Sequence, residues 1–213
     1  MIGRLAAAVS LRSRARRFRL FMEHVQPTSE TTVVDVGVAD APFGEAEGHG
    51  ATYNFLEAMY PWRERITAVS VDELPHFAEA FPELRRVQAD GRDLPFADGE
   101  FDVGFSNAVV EHLGDRDSQE AFVRELCRVS KRVFVATPNR WFPVEVHTLL
   151  PFVHWLPARA RRRVLGKLRR ADVEGLRPLS PREFRSLFPY PVRILNTGLS
   201  LVALGPEQLT RAR

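Results

Sequence analysis

Hydrophobic and polar positions along this chain switch between a two-residue and a 3.6-residue period, predicting strands that alternate with helices. The run TTVV, Thr31–Val34, is β-branched throughout. That composition suits a strand buried on both faces of a parallel sheet. It closes on Asp35, with Gly37 two residues on. Further strands are predicted at Ile66–Val71, closing on Asp72 and Glu73, and at Arg86–Ala89, closing on Asp90. Two more follow at Phe101–Ser106 and Arg132–Thr137. Apolar residues Leu5, Val9, Phe18, Phe21, Met22 and Val25 predict a helix over 1–25, ended by Pro27. Phe55, Leu56 and Met59 share one face of a shorter helix, Thr52–Met59. A capping box, D-S-Q-E at Asp117–Glu120, opens a helix carried by Phe122, Val123, Leu126 and Val129. A second, S-P-R-E at Ser180–Glu183, opens one ending near Phe188. The runs VRILNT and LSLVAL, separated by Gly198 and its neighbours, make an antiparallel hairpin. The expected fold is α/β: a doubly wound, seven-stranded, mostly parallel sheet with a C-terminal antiparallel hairpin.

One stretch breaks the rhythm. Residues 141–178 mix Trp141, Phe142, Phe152 and Trp155 with prolines and the basic run RARRRVLGKLRR. The 213 residues fit one domain, with 1–26 as an N-terminal basic helix and 141–178 as an insertion capping the site. A hydrophobic fraction of 45% and a charged fraction of 27% are those of a soluble globular protein. No apolar run approaches the length of a membrane span, and the single cysteine, Cys127, excludes an internal disulfide. Cys127 falls on the apolar side of its helix and reads as a buried filler. These features point to the cytoplasm.

Charge changes the picture, because it is unevenly spread. Residues 1–19 carry six arginines and no acid, and residues 159–170 carry seven Lys or Arg and no acid. Without these, 17 basic residues face 27 acids, leaving a body of about −10 with two basic appendages. Such appendages often meet phosphate on nucleic acid or anionic lipid, and equally serve as solvated helix faces. The Arg- and Ser-rich start also resembles an organellar transit peptide, but no cleavage site is evident before the first strand.

In an open parallel sheet, ligands bind beyond the carboxyl ends of the strands. Those ends carry Asp35–Gly37, Asp72–Glu73, Asp90–Gly91 and Ser106–Asn107. A glycine after the first strand lets the chain turn sharply against a ligand. A carboxylate closing the second strand can accept from two ribose hydroxyls, and one closing the third from an exocyclic amine. Three acids together disfavour a pyrophosphate and favour a ligand with a cationic part. Each acid alone is equally a helix cap or turn residue. One glycine stands where the dinucleotide fingerprint needs three, which argues against a nicotinamide-dependent oxidoreductase. No metal site is read.

With these residues in place, the chain resembles a class I S-adenosylmethionine-dependent methyltransferase of the methyltransferase-11 type. The resemblance rests on VVDVGVAD, on ADGRDLPFADGEFDVGFSNAVVEHL and on ELCRVSKRVFVATPN. The middle run is the most specific, since it contains D-x-x-x-L-P-F-x-D-x-x-F-D. The resemblance implies a Rossmann-like sheet and S-adenosyl-L-methionine as cofactor. It implies that Asp35 and Gly37 approach the methionine part, Asp90 the adenine, and that Asn107 passes the sulfonium. Two positions depart from the pattern. Ala39 and Asp40 replace further glycine, and the ribose acid is Asp72 rather than a residue nearer Ser70.

Methyl transfer from a sulfonium asks the protein for position and exclusion of water, and for a base only where the acceptor is a hydroxyl or protonated amine. His112 and His147 are the candidates for that base, with His112 equally a structural histidine. The stretch TPNRWFPVEVH supplies Asn139, Arg140, Trp141 and Glu145 as the acceptor-side wall. The expected acceptor is a small molecule or a lipid-linked, amphiphilic one. Weak contact with anionic membrane is the expected role of the basic appendages, and neither shows a nucleic-acid reading pattern. The alternative is a catalytically silent binding or scaffold protein of the same fold, suggested by the altered glycine loop.

Overall fold

The computed structural model describes residues 2–40, 54–145, 148, 150–168 and 175–207, with side chains from residue 11 onward apart from Ala158. Its elements are α1 (Ile2–Val25), β1 (Val33–Val36), α2 (Phe55–Met59), β2 (Ile66–Ser70), α3 (Pro75–Ala80) and β3 (Arg85–Gln88). Then come β4 (Phe101–Asn107), α4 (Arg116–Val129), β5 (Ser130–Pro138), α5 (Ala158–Lys167), α6 (Pro181–Arg185), β6 (Arg193–Asn196) and β7 (Ser200–Gly205). The strands form one sheet in the order β3-β2-β1-β4-β5-β7-β6. β1 to β5 run parallel, and β7 is antiparallel to both β5 and β6. The order reverses between β1 and β4, so the crevice above those two strands is the switch point where such sheets bind ligands.

Side-chain alternation divides the core. Val34, Val36, Val133 and Val135 face α4 and α6, meeting Phe122, Leu126 and Phe184. Val33, Val103, Phe105 and Phe134 face the other way, onto α1, α2 and α3. Phe21 of α1, fully buried, sets its ring edge-on to Tyr60, Phe105 and Phe134. Asp35 shares the parity of Val33 and therefore points toward α2.

Several elements differ from the sequence expectation. β1 lies two residues later than TTVV, so Asp35 sits inside the strand. Met59 is exposed, and Glu57 and Tyr60 are buried instead. α3 was not expected. It is six residues long, starts on Pro75, and is capped from afar by Asp40. α4 starts earlier than its predicted box: Asp115 is the N-cap, accepting from the Ser118 amide at 2.7 Å, and Asp117 lies in the first turn. The box at Ser180–Glu183 forms as expected. Cys127 is partly buried beside Tyr190, and burial pushes its thiol up to about 11. Within the insertion, Val153, Leu165 and Leu176 form a small core of their own. No helix among the described residues is long and apolar enough to cross a membrane.

Candidate active site

β1 delivers Asp35 into a cavity of about 230 Å³ at the switch point, lined also by Gly37, Asn54, Phe55, Phe105 and Asn107. The Asp35 carboxyl meets that of Glu57 from α2, and both are withdrawn from water. Burial pushes Asp35 well above the usual carboxylate range, and the adjacent Glu57 pushes it further. Burial raises Glu57 as well, its contact with Asp35 working the other way. Two carboxyls so placed disfavour each other's charge, which pushes the pair toward the protonated form. Asn107 completes the pocket. Its Oδ1 is buried and accepts no hydrogen bond among the described residues.

Gly37 is required by its own neighbourhood. It has φ +100°, and a Cβ there would lie 2.1 Å from Val109 Cγ2. The turn after β1 thus packs directly on the turn after β4. The two departures in the glycine loop have structural tasks. Asn54 clamps the main chain of Ala39, donating to its carbonyl at 2.8 Å and accepting from its amide at 3.3 Å. Asp40 accepts from the Phe77 amide at 2.9 Å and pairs with His76 Nδ1 at 2.8 Å, contacts that hold its carboxyl below the usual range.

Asp90 stands at the end of β3, gripped by Arg92, whose Nη2 donates at 2.7 Å and whose amide donates at 2.9 Å. That grip lowers its pKa. Gly91 is imposed by packing, since a Cβ would meet the Phe122 ring at 2.5 Å. Arg128 secures the hallmark segment that follows, donating to the carbonyls of Phe96 and Leu94 and to Asp98. Asp72 is exposed, and its amide donates to Ser70 Oγ at 3.3 Å.

A second cavity, of about 360 Å³, opens between the end of β5 and the insertion. Its polar lining is Glu111, Glu145, Thr148, His154 and Arg161. Glu111, 1% exposed, accepts from Thr137 Oγ1 at 3.0 Å. Glu145 accepts from both the amide and hydroxyl of Thr148 at 2.7 Å. His154 Nε2 lies 2.9 Å from the Arg140 carbonyl. A carbonyl only accepts, so that nitrogen carries the proton and Nδ1 is the basic one. Nδ1 is buried without a hydrogen-bond partner among the described residues.

The expected residues therefore separate. Asp35, Gly37 and Asn107 line one cavity and Glu145 the other. His112 is half-exposed, 4.0 Å from Glu111, and lines neither. His147 lies outside the described residues. Asn139 is committed to structure, donating to the carbonyl of Gly198 at 2.9 Å and accepting from the Trp141 amide at 3.0 Å. Arg140 pairs with Glu183 at 3.1 Å, and Trp141 is 60% exposed on the outside. Sequence reasoning missed Glu57, Asn54 and His154. Glu57 had one available signal, an acid within the apolar run FLEAM. It also missed Arg17, which turns inward from α1 to donate to Ser200 Oγ at 2.8 Å, its guanidinium 5.8 Å from the Phe55 ring centre. Burial lowers Arg17 to about 10.

Comparison with known proteins agrees with this arrangement. The family model described as Methyltransferase domain matches residues 46–133. A probable S-adenosylmethionine-dependent methyltransferase of Mycobacterium tuberculosis is 36% identical over 102 residues, 46% of this chain and 34% of the relative. The chain thus spans about a third of the length of the curated relatives it matches. Among solved structures, the YcgJ protein of Bacillus subtilis superposes with a TM-score of 0.56 at 22% identity, covering 85% of this chain and 70% of that one. The N-methyltransferase NodS of Bradyrhizobium japonicum, in complex with S-adenosyl-L-homocysteine, gives 0.56 at 11% identity, covering 90% and 85%. The fold is thus the Rossmann-like one of these structures, and a stretch of the chain from ahead of α2 into β5 is similar to S-adenosylmethionine-dependent methyltransferases.

Proposed function

We propose that this chain transfers a methyl group from S-adenosylmethionine to a small or amphiphilic acceptor seated in the larger cavity. The observation that supports this most is the smaller cavity, into which Asp35, backed by Glu57, and the unpartnered Asn107 Oδ1 bring hydrogen-bond acceptors. An ammonium group has three donors and no acceptor, so the amino group of the methionine part matches that lining. Arg17, over the Phe55 ring of the same cavity, offers a cation to the carboxylate. Asp90 and Gly91 would face the adenine, and Asp72 the ribose hydroxyls. When bound, the cofactor supplies an electrophilic methyl carbon on a cationic sulfur. The acceptor's lone pair forms the new bond as the sulfur–carbon bond breaks, its electron pair remaining on sulfur.

This chain's contribution is orientation and exclusion of water. The turn 107–112 separates the two cavities, with Asn107 on one side and Glu111 on the other. His154 Nδ1 takes the proton where the acceptor is a hydroxyl or a protonated amine, in place of His112. A silent scaffold gains no support from the altered loop, because Ala39 and Asp40 are engaged in structural contacts.

Titration calorimetry tests the reading. Both S-adenosylmethionine and S-adenosylhomocysteine should bind near micromolar, about −8 kcal/mol. No heat with either form ends it. With cofactor carrying a labelled methyl group, small-molecule and lipid extracts should take up label, and His154→Ala should slow uptake by about 10²–10⁴-fold where a base is needed.

A further inference from the structure

The insertion carries an exposed face that the two cavities do not use. Trp141, Phe152, Trp155 and Leu156 are 60%, 52%, 43% and 37% exposed. They are not scattered: ring centres lie 6.4 Å apart for Trp141 and Trp155, and 5.2 Å for Phe152 and Trp155. Single exposed apolar residues are ordinary, whereas a cluster of large rings marks an interaction site. The Trp155 indole N–H donates to the Arg140 carbonyl, so the ring needs no water of its own. Phe152 is held at φ +61°, a left-handed conformation that bulky residues rarely adopt, and the strain is not repaid by burial.

α5 begins three residues after Trp155. Arg159, Arg163 and Lys167 recur every fourth residue and are exposed, so they form one basic stripe along the helix. Leu165, on another side, is buried against Val153 and Leu176. No acid occurs anywhere from 146 to 171, which holds seven Lys or Arg, while the rest of the chain has 27 acids against 23 Lys or Arg. Exposed tryptophan and phenylalanine beside a row of exposed cations suit the boundary between lipid headgroups and acyl chains. Nucleic-acid bases are read by aromatics on a strand platform or by a helix in a groove, and these rings lie on loops and a single 3₁₀ turn. α1 does not join this surface as one basic face. Arg17 is buried, and Arg16 donates to the Thr197 carbonyl.

We propose that the face formed by Trp141, Phe152, Trp155 and the Arg159–Arg163–Lys167 stripe docks on an anionic lipid surface. The rings enter the headgroup boundary and the cations meet lipid phosphates. The proposal stands apart from the methyl-transfer reading, because none of these residues lines either cavity.

Co-sedimentation of the full chain with vesicles tests it, using phosphatidylcholine alone or mixed with phosphatidylglycerol. Binding is expected only to the anionic vesicles, and is expected to vanish at high ionic strength. Removing one surface cation weakens partition about five-fold, so R159E/R163E should lower it at least about 25-fold. Phe152→Gly is the sharper variant. Glycine accepts the left-handed backbone, so melting temperature should rise while partition falls several-fold. A merely structural Phe152 would give the opposite sign in stability. S-adenosylhomocysteine affinity should be unchanged in every variant, which keeps this test separate from the cofactor reading. Equal binding to neutral and anionic vesicles, no binding at low salt, or full binding by R159E/R163E would each overturn it. So would lipid-free self-association abolished by the same substitutions, which would assign the face to a second copy of the chain.

Discussion

Asp35 and Glu57 place two carboxyls in contact away from water, and the arrangement opposes folding at neutral pH. A carboxyl whose folded pKa is raised keeps its proton to a higher pH than the unfolded chain does. Its cost is absent below the ordinary carboxyl value and grows as pH rises through the window up to the folded pKa. Glu57→Gln should therefore stabilise the empty protein by about 1–3 kcal/mol at neutral pH. The gain should shrink toward zero as the pH falls to about 4, where both wild-type carboxyls are protonated. The same variant should weaken S-adenosylmethionine binding less than Asp35→Asn does, because Asp35 lines the cavity and Glu57 stands behind it. Thermal melts across pH, with calorimetry at one pH, check both halves. The place of Asp35 at the cavity was legible in the sequence because acids recur at consecutive strand ends, where such a sheet binds ligands. Glu57 was not, because its partner is fixed by which way β1 alternates and by the angle at which α2 crosses it. Asn139 erred in the opposite direction: it sits at a strand end, and the β6–β7 turn claims its side chain.

Glycine at the strand ends shows how an element can dictate a residue that looks like part of a site. Gly91 stands under the Phe122 ring of α4, so Gly91→Ala should cost about 1–3 kcal/mol by overpacking. Phe122→Leu in the same chain should recover part of that loss, and a double-mutant cycle of denaturant midpoints measures the coupling. Loss without coupling would return Gly91 to a ligand role. The start of α4 offers a simpler check. Asp115→Ala should lower the melting temperature by roughly 2–4 °C, and Asp117→Ala should leave it nearly unchanged. Composition located this helix well and misplaced its cap, since D-R-D presents two acids and only backbone geometry chooses between them. The long hydrophobic runs fixed β1, β2, β4 and β5 to within two residues for a plain reason: parallel strands in the middle of a sheet are apolar on both faces. α3 escaped notice because its cap lies in a different part of the chain.

At the scale of the molecule, α1 is bound into the sheet domain. Phe21 is fully buried among three aromatic rings, and Arg17 spans to β7. Phe21→Ala should destabilise the whole domain by about 3–5 kcal/mol, and chemical denaturation should remain a single transition. A biphasic curve would instead make α1 a separate unit. Sequence patterning predicted the helix and its apolar stripe, but read its arginines as outward-facing because charge alone says nothing about which side a helix presents. The doubly wound sheet itself was fully legible, down to the terminal hairpin.

The two cavities share no lining residue among the described ones, although Asn107 and Glu111 are four positions apart on the same turn. Inheritance can therefore act on them separately. On the methyl-transfer reading proposed above, substitutions lining the larger cavity would change which molecule is accepted while the strand-end acids stay as they are, so descendants of this chain could acquire new acceptors without rebuilding the smaller cavity.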